Sequence, residues 1–158
     1  MEQLQLPNQT IHSDCSDIDV RDYVNILVLN KAREAMVLES YKQGSGGVCW
    51  KMLGGYLEGE EDPFTAVQRY LLQQIGYETT HWSYLGSHGT EPNRYRGVGH
   101  FFCAQQASPV ANVQNDQLDT AHIKWVQLTD LRYALQDGRI PIMSHALTIS
   151  LALLTVLK

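Results

Sequence analysis

The run "GGYLEGEEDPFTAVQRYLLQQIGY", from Gly54 to Tyr77, constrains this chain more than any other segment. A glycine pair closes an apolar stretch, an acidic loop follows, and a helix starts at a proline and stops at a glycine. Asp62 suits the N-cap, because its carboxylate can accept from the first free amides of the helix. Pro63 carries the φ of a first helical residue, and Gly76 tolerates the left-handed conformation past the last turn. The expected helix therefore spans Pro63 to Ile75. Phe64, Val67, Leu71 and Ile75 recur at helical spacing and form the stripe to be buried against a sheet. Tyr70, Gln73 and Gln74, at i, i+3 and i+4, share a different face that looks toward the acidic loop. A Gly-rich acidic loop entering a helix is laid out for phosphates and a hard cation, and Mg²⁺ takes one or two carboxylates together with substrate phosphate oxygens. Yet residues 64–75 contain no carboxylate.

The rest of the chain supplies the sheet for that helix. "YVNILVLN" (23–30) is β-branched and apolar, "KARE" (31–34) turns, and "AMVLESY" (35–41) returns as the hairpin partner. "KQGSGG" (42–47) is a loop with neither P-loop nor dinucleotide-binding spacing. "VCWKML" (48–53) reads as a short strand ending at the glycine pair. "HWSYLGSH" (81–88), "VGHFFCAQQ" (98–106) and "IKWVQL" (123–128) are further strands, separated by loops 89–97 and 107–119. Thr129 is the expected cap of a helix to about Gln136, closed by Asp137-Gly138, and Pro141 restarts a helix toward the C-terminus. This order predicts an α+β fold: a mixed β-sheet between helices, in a single domain over 20–158, preceded by a polar arm at 1–19 read as mobile or as a short edge element.

Composition excludes several functions. With 158 residues, 44% apolar and 18% charged, the chain suits one globular domain with a real core. A net charge of −5 without any Lys/Arg block leaves no footprint for nucleic acid or an anionic membrane. Cys15, Cys49 and Cys103 form no CxxC pair and no disulfide framework, which points to a reducing cytoplasm. The N-terminus lacks a signal-peptide pattern, and "IPIMSHALTISLALLTVLK" is too short and polar to span a bilayer.

The spacing of the loop–helix run resembles the Nudix box: G, five residues, E, seven residues, R-E, an aliphatic, any residue, E-E, any residue, G, an aliphatic. Gly55, Glu61, Arg69, Leu71 and Gly76 fall on its frame. Its three glutamates correspond to Tyr70, Gln73 and Gln74, and its last aliphatic to Tyr77. "CWKMLGGYLEGEEDP" and "IKWVQLTDLRYALQDGRIPIMSHALTISLALL" are similar to segments of the ADP-ribose pyrophosphatases within that family, so the resemblance covers most of 20–157. Lys51 replaces a glutamate of that subgroup, Leu53 stands where it often has proline, and His122 lies near a position where relatives often carry an acid.

The resemblance implies an α/β/α sandwich and hydrolysis of nucleoside diphosphates linked to another moiety, using Mg²⁺ or Mn²⁺ and water. It implies a nucleotide or nucleotide-sugar ligand, a Glu61–Arg69 salt bridge that locks the loop to the helix, and homodimers of the kind many relatives form through swapped N-terminal strands. The arm here is shorter than those strands.

The substitutions bear on the chemistry directly. Two unit charges about 4 Å apart interact by about 4 kcal/mol at an effective dielectric of about 20. Replacing three carboxylates by a phenol and two amides therefore weakens a cation site severely. Glu58 and Glu60, with Glu61, are the acids left to hold a displaced metal or to act as catalytic groups. The plain alternative is a solvated acidic loop. Asp116 and Asp119 are second-rank candidates for a base or extra ligand. Trp50, Tyr95 and Arg96 are candidate ligand contacts, with Arg94 and His88 nearby, although Trp50 and Trp125 also suit the core. Ser144 and His145 have no acid positioned to complete a nucleophilic triad. Two functions follow from one cleft: a pyrophosphohydrolase with impaired metal-dependent chemistry, or a non-catalytic module that binds a nucleotide-like ligand or a protein.

Overall fold

The computed structural model describes residues 4–5, 11–12, 21–41, 44, 47–90, 97–113 and 121–158. Strands β1 (Leu4–Gln5) and β2 (Ile11–His12) pair antiparallel as a separate two-stranded sheet. The main sheet is built around β3 (Tyr23–Asn30), which runs parallel to β9 (Gly99–Pro109) and antiparallel to β4 (Ala35–Tyr41) and β6 (Leu53–Tyr56). β5 (Val48–Lys51) and β10 (His122–Val126) flank β4, while β7 (Tyr77–Glu78) and β8 (His81–His88) pair with β9. Helices α1 (Pro63–Tyr70), α2 (Leu128–Asp137) and α3 (Met143–Thr155) complete the domain.

Apart from Asn25, β3 is apolar on both faces because both are covered. Val24, Ile26 and Val28 meet Ala66, Val67 and Leu71 of the α1 layer. Leu27 and Leu29 meet Leu131 and Ala134 of α2 and Ile149 and Ala152 of α3. This is the expected α/β/α arrangement around a mixed sheet.

Two expectations about the sheet are corrected. The β3–β4 hairpin is registered only at Leu29↔Ala35. Beyond its turn β4 leaves β3, and β6 takes the vacated edge at Tyr23↔Tyr56 through Ile26↔Leu53. The expected single strand 48–53 is accordingly two strands that part at Met52, one pairing β4 and the other β3. Pairing continues through Gly54-Gly55 to Tyr56 instead of ending at the glycines. A Cβ on Gly54 would overlap the Val24 carbonyl, and one on Gly55 would overlap Tyr70. The glycines admit a close backbone approach rather than a turn.

The helices also differ in detail. α1 passes into a π-helical turn over Leu71–Ile75, with the Gly76 N–H reaching the Leu71 carbonyl and Gly76 left-handed at φ 70°. Phe64 is only partly covered, 42% exposed, and lies edge-on to Trp82. α2 begins at Leu128, so Thr129 lies inside it and Gln127 occupies the cap position without a side-chain hydrogen bond. Gly138 closes it at φ 90°, as Asp137-Gly138 suggested.

The Met52 amide, released from the ladder where the two strands part, donates to His145 Nδ1 at 3.1 Å. Burial lowers the His145 pKa from its ordinary 6.5 to about 4, with the Lys51 charge adding to the effect. A depressed histidine pKa leaves its contribution intact above pH 6.5. As pH falls from 6.5 toward 4, the unfolded chain binds a proton that the folded chain refuses, and stability is lost. The urea midpoint should therefore fall between pH 7 and pH 5, and less so in His145→Gln, whose amide oxygen can still accept from Met52. Equal pH slopes for the two proteins would count against this role.

Candidate functional site

The loop 57–62 and α1 are joined by charge and hydrogen bonds. Asp62 caps α1 by accepting from the amides of Phe64 and Thr65 at 3.1 and 3.3 Å. Arg69 donates through Nε and Nη2 to the two Glu61 carboxylate oxygens, both at 2.8 Å, and its Nη1 lies 3.3 Å from Glu58 Oε1. The Arg69 and Glu61 side chains are 18% and 12% exposed, whereas Glu58 is 72% exposed. The Arg69 hydrogen bond is the chief cause holding the Glu61 pKa below its ordinary value, and Glu61 in turn raises that of Arg69. The bidentate geometry makes this the better-defined of the two pairs.

Tyr70 takes the position nearest the glycine pair. Its ring packs where a Gly55 side chain would project, and its hydroxyl donates to the Tyr56 carbonyl at 2.7 Å. The Arg69 guanidinium lies 4.4 Å above the ring. Gln73 is exposed and Gln74 half-buried. The i, i+3, i+4 face assumes α geometry, which ends at Tyr70; each residue of the wider π turn advances less around the axis. Gln73 and Gln74 therefore lag behind the Tyr70 face rather than continuing it.

These residues do not fit a divalent cation well. Both Glu61 oxygens are engaged by Arg69, and the Tyr56 carbonyl is engaged by Tyr70. Glu58 and Glu60 project from the exposed loop. Among the described residues no group of three or more His, Cys, Asp or Glu side chains is placed to hold a metal ion. Trp50 lies in the α2/α3 core cluster, 3% exposed, whereas Leu71 and Tyr70 belong to the α1 cluster. The Trp50 indole N–H donates to Glu39 at 2.8 Å, and Arg139 stacks 4.3 Å from its ring. Tyr95 and Arg96, like Arg94, Asp116 and Asp119, lie outside the described residues.

Of the cavities beside this unit, which the sequence reading did not anticipate, two border the loop and the glycine pair. One of about 590 Å³, at the start of α1, is lined by Asp62, Phe64, Trp82, Tyr84, His100 and Phe102. The period-2 aromatics of β8, Trp82 and Tyr84, were its sequence signal. The other lies on the α3 side and includes Asn25 and His145. An asparagine inside an otherwise apolar strand was the signal there.

The NUDIX domain family matches residues 19–146, and the chain belongs to that family. Nudix proteins generally use divalent metal cations, against which the poor fit at this box stands out. Among solved structures, one described as the crystal structure of ADP compounds hydrolase superposes with a TM-score of 0.71 at 15% identity, over 95% of this chain and 80% of that one. At that identity the likeness is one of fold. No curated protein matches the chain. Among the described residues no helix is long and apolar enough to cross a membrane.

Arg69→Ala should free loop 57–62, seen as faster amide exchange there and a lower melting temperature at neutral pH. The depressed Glu61 pKa fixes the sign of the pH dependence. The pairing stabilises above the ordinary carboxylate value of 4.5 and is lost as pH falls through the lower folded value. Wild type and variant should thus converge in acid, and a gap that persists there would refute the charge-based account.

Proposed function

We propose that this domain handles a nucleotide-type ligand of the nucleoside-diphosphate-sugar class, and that ordinary metal-dependent hydrolysis at its box is impaired. Family membership supports the ligand class, as does the likeness to a fold neighbour described as an ADP compounds hydrolase. The observation that carries the impairment is Tyr70: a neutral ring against Gly55, its hydroxyl spent on the Tyr56 carbonyl, where the box has its first glutamate. With Gln73 and Gln74 also neutral, the helix offers a Mg²⁺ or Mn²⁺ ion no anionic ligand. Glu58 and Glu60 are then the acids left for a displaced metal or for proton transfer.

The same observation favours a second reading: a module that binds a nucleotide-like ligand, or a protein, without turnover. A cytoplasmic setting accords with the free, buried Cys49 and Cys103, the latter thiol pushed up to about 12 by burial.

The test is hydrolysis of ADP-ribose and a panel of nucleoside diphosphate compounds, with Mg²⁺ and with Mn²⁺. Wild type should be slower than the Tyr70→Glu/Gln73→Glu/Gln74→Glu variant by roughly 10²-fold or more, the scale of losing an electrostatic stabiliser of a transition state. Wild-type turnover abolished by Glu58→Ala or Glu60→Ala would assign the chemistry to the loop. Efficient wild-type turnover indifferent to both would sink the impairment. Thermal stabilisation by ligand without turnover would select the binding module.

A further inference from the structure

A cavity of about 360 Å³ lies where the β3–β4 turn meets β9, lined by Leu29, Asn30, Lys31, Arg33, Gln105 and Gln106. It is remote from the Nudix box. Asn25 of β3 pairs with Gly54, and Asn30, five residues on, lies about 17 Å further along the strand. The backbone around the cavity is held in an uncommon conformation. Among the described residues, two that are not glycine have a left-handed φ, Arg33 at 60° and Gln106 at 54°, and both line this cavity. Arg33 closes the turn, its amide donating to the Asn30 carbonyl at 3.0 Å, at a position that favours glycine or asparagine. Gln105 and Gln106 together stand opposite Leu29, because the β3–β9 register passes from Val28↔Ala104 to Asn30↔Ala107. Such a bulge re-aims side chains. Neither geometry requires a long polar residue, so the strain retained at both points to a use for their side chains.

The wall is positive and rich in N–H donors. Lys31 and Arg33 are exposed, and neither has an ion pair among the described residues. Arg69, Lys124 and Arg139, by contrast, each meet a carboxylate. The carboxylate of the turn itself is taken. Asn30 Nδ2 donates to Glu34 Oε1 at 3.1 Å, and the Glu34 amide donates to Asn30 Oδ1 at 2.9 Å. No carboxylate lines the cavity, and the Gln105 and Gln106 side-chain amides each carry two N–H groups. The cavity meets a groove of about 570 Å³ at Lys31 and Gln106, which line both. The groove holds the aromatic rings of Tyr77 and Trp82 and the carboxylate of Glu78, so an anion is favoured at the Lys31–Arg33 end.

We propose that the Lys31–Arg33 cavity binds a phosphoryl group, free or as a phosphomonoester, with the two cations and the Gln105 and Gln106 amides as donors. A phosphomonoester carries a charge of roughly −1.5 to −2 at neutral pH, which two cations match. The planar guanidinium of Arg33 can meet two phosphate oxygens at once. An attached organic part would lie in the groove beside Tyr77 and Trp82. The site is separate from the box and independent of the nucleotide-type reading above, since it uses no metal ion and no residue of loop 57–62.

The test is titration with inorganic phosphate, AMP and adenosine in EDTA, at an ionic strength of about 0.15 M, which screens weak attraction between exposed charges. Calorimetry gives the affinity and amide chemical shifts the location, on wild type, Lys31→Gln and Arg33→Gly. Phosphate and AMP should shift the amides of Lys31, Arg33, Gln105 and Gln106, and adenosine should leave them unmoved. Each variant should bind roughly tenfold more weakly or worse, because the lost hydrogen bonds are charge-assisted. Arg33→Gly should nonetheless melt at or above the wild-type temperature, since glycine suits a left-handed φ. A merely structural arginine would lower the melting temperature and leave the affinity unchanged. Arg33→Asn, which also tolerates that conformation, replaces the glycine variant if that one does not fold. Equal affinity for phosphate and AMP assigns the site to the phosphoryl group alone, whereas tighter AMP with added shifts at Tyr77 and Trp82 assigns the groove as well. AMP binding that shifts the box alone upholds the nucleotide-type reading and overturns this site. Unchanged affinity in the variants, adenosine shifts that match those of AMP, or no binding by phosphate and AMP overturn it too.

Discussion

At two successive residues β6 approaches its neighbours too closely to carry a side chain. Gly54 abuts the Val24 carbonyl of β3, and Gly55 abuts the ring of Tyr70. This close approach lets β6 take the edge of β3 that β4 abandons, and so produces the parting of strands at Met52. It sets Tyr70 against the backbone, so the Tyr70 hydroxyl reaches the carbonyl of the very next residue. It also releases the Met52 amide to His145 and leaves an open space beside Asn25.

The loop–helix unit keeps its frame by a different means. Arg69 distributes its donors over Glu61 and Glu58 and lays its face on Tyr70. One cation thus ties loop, helix and aromatic ring together. A guanidinium does this where an ammonium would not, because its fork and its planar face can be used at once. Each oxygen of the carboxylate so bound already accepts from Arg69. Retention of Glu61 and Arg69 therefore secures the shape of the box and says nothing in favour of its chemistry.

Much of this was legible beforehand. Asp62, Pro63 and Gly76 marked the ends of the helical segment because capping is local and depends on residues within one turn. The spacing from Gly55 to Gly76 identified the frame and showed which positions lack charge. Three things were not legible. The π turn arises within a run, Leu71–Ile75, whose apolar spacing suits either kind of helix. The division of 48–56 into two strands depends on which partner each half finds: β4 lies just across the preceding loop, whereas β3 lies beyond β4 in sequence. His145, without an acid to suggest catalysis, acquires its role only when the Met52 amide, about ninety residues earlier, is brought beside it.

The sequence by itself determined the apolar run of β3, the caps of α1, the Arg69–Glu61 spacing and the absence of carboxylates on the box helix, because each is a property of residue types at short separations. Tertiary structure alone decided that Tyr70 closes over Gly55 and the Tyr56 carbonyl, that Trp50 belongs to the α2/α3 core, and that the Asn25 side-chain nitrogen is buried without a hydrogen-bond partner among the described residues. These are properties of packing. They depend on groups that meet only after the two helical layers close on the sheet, when burial determines which polar atoms have found a partner.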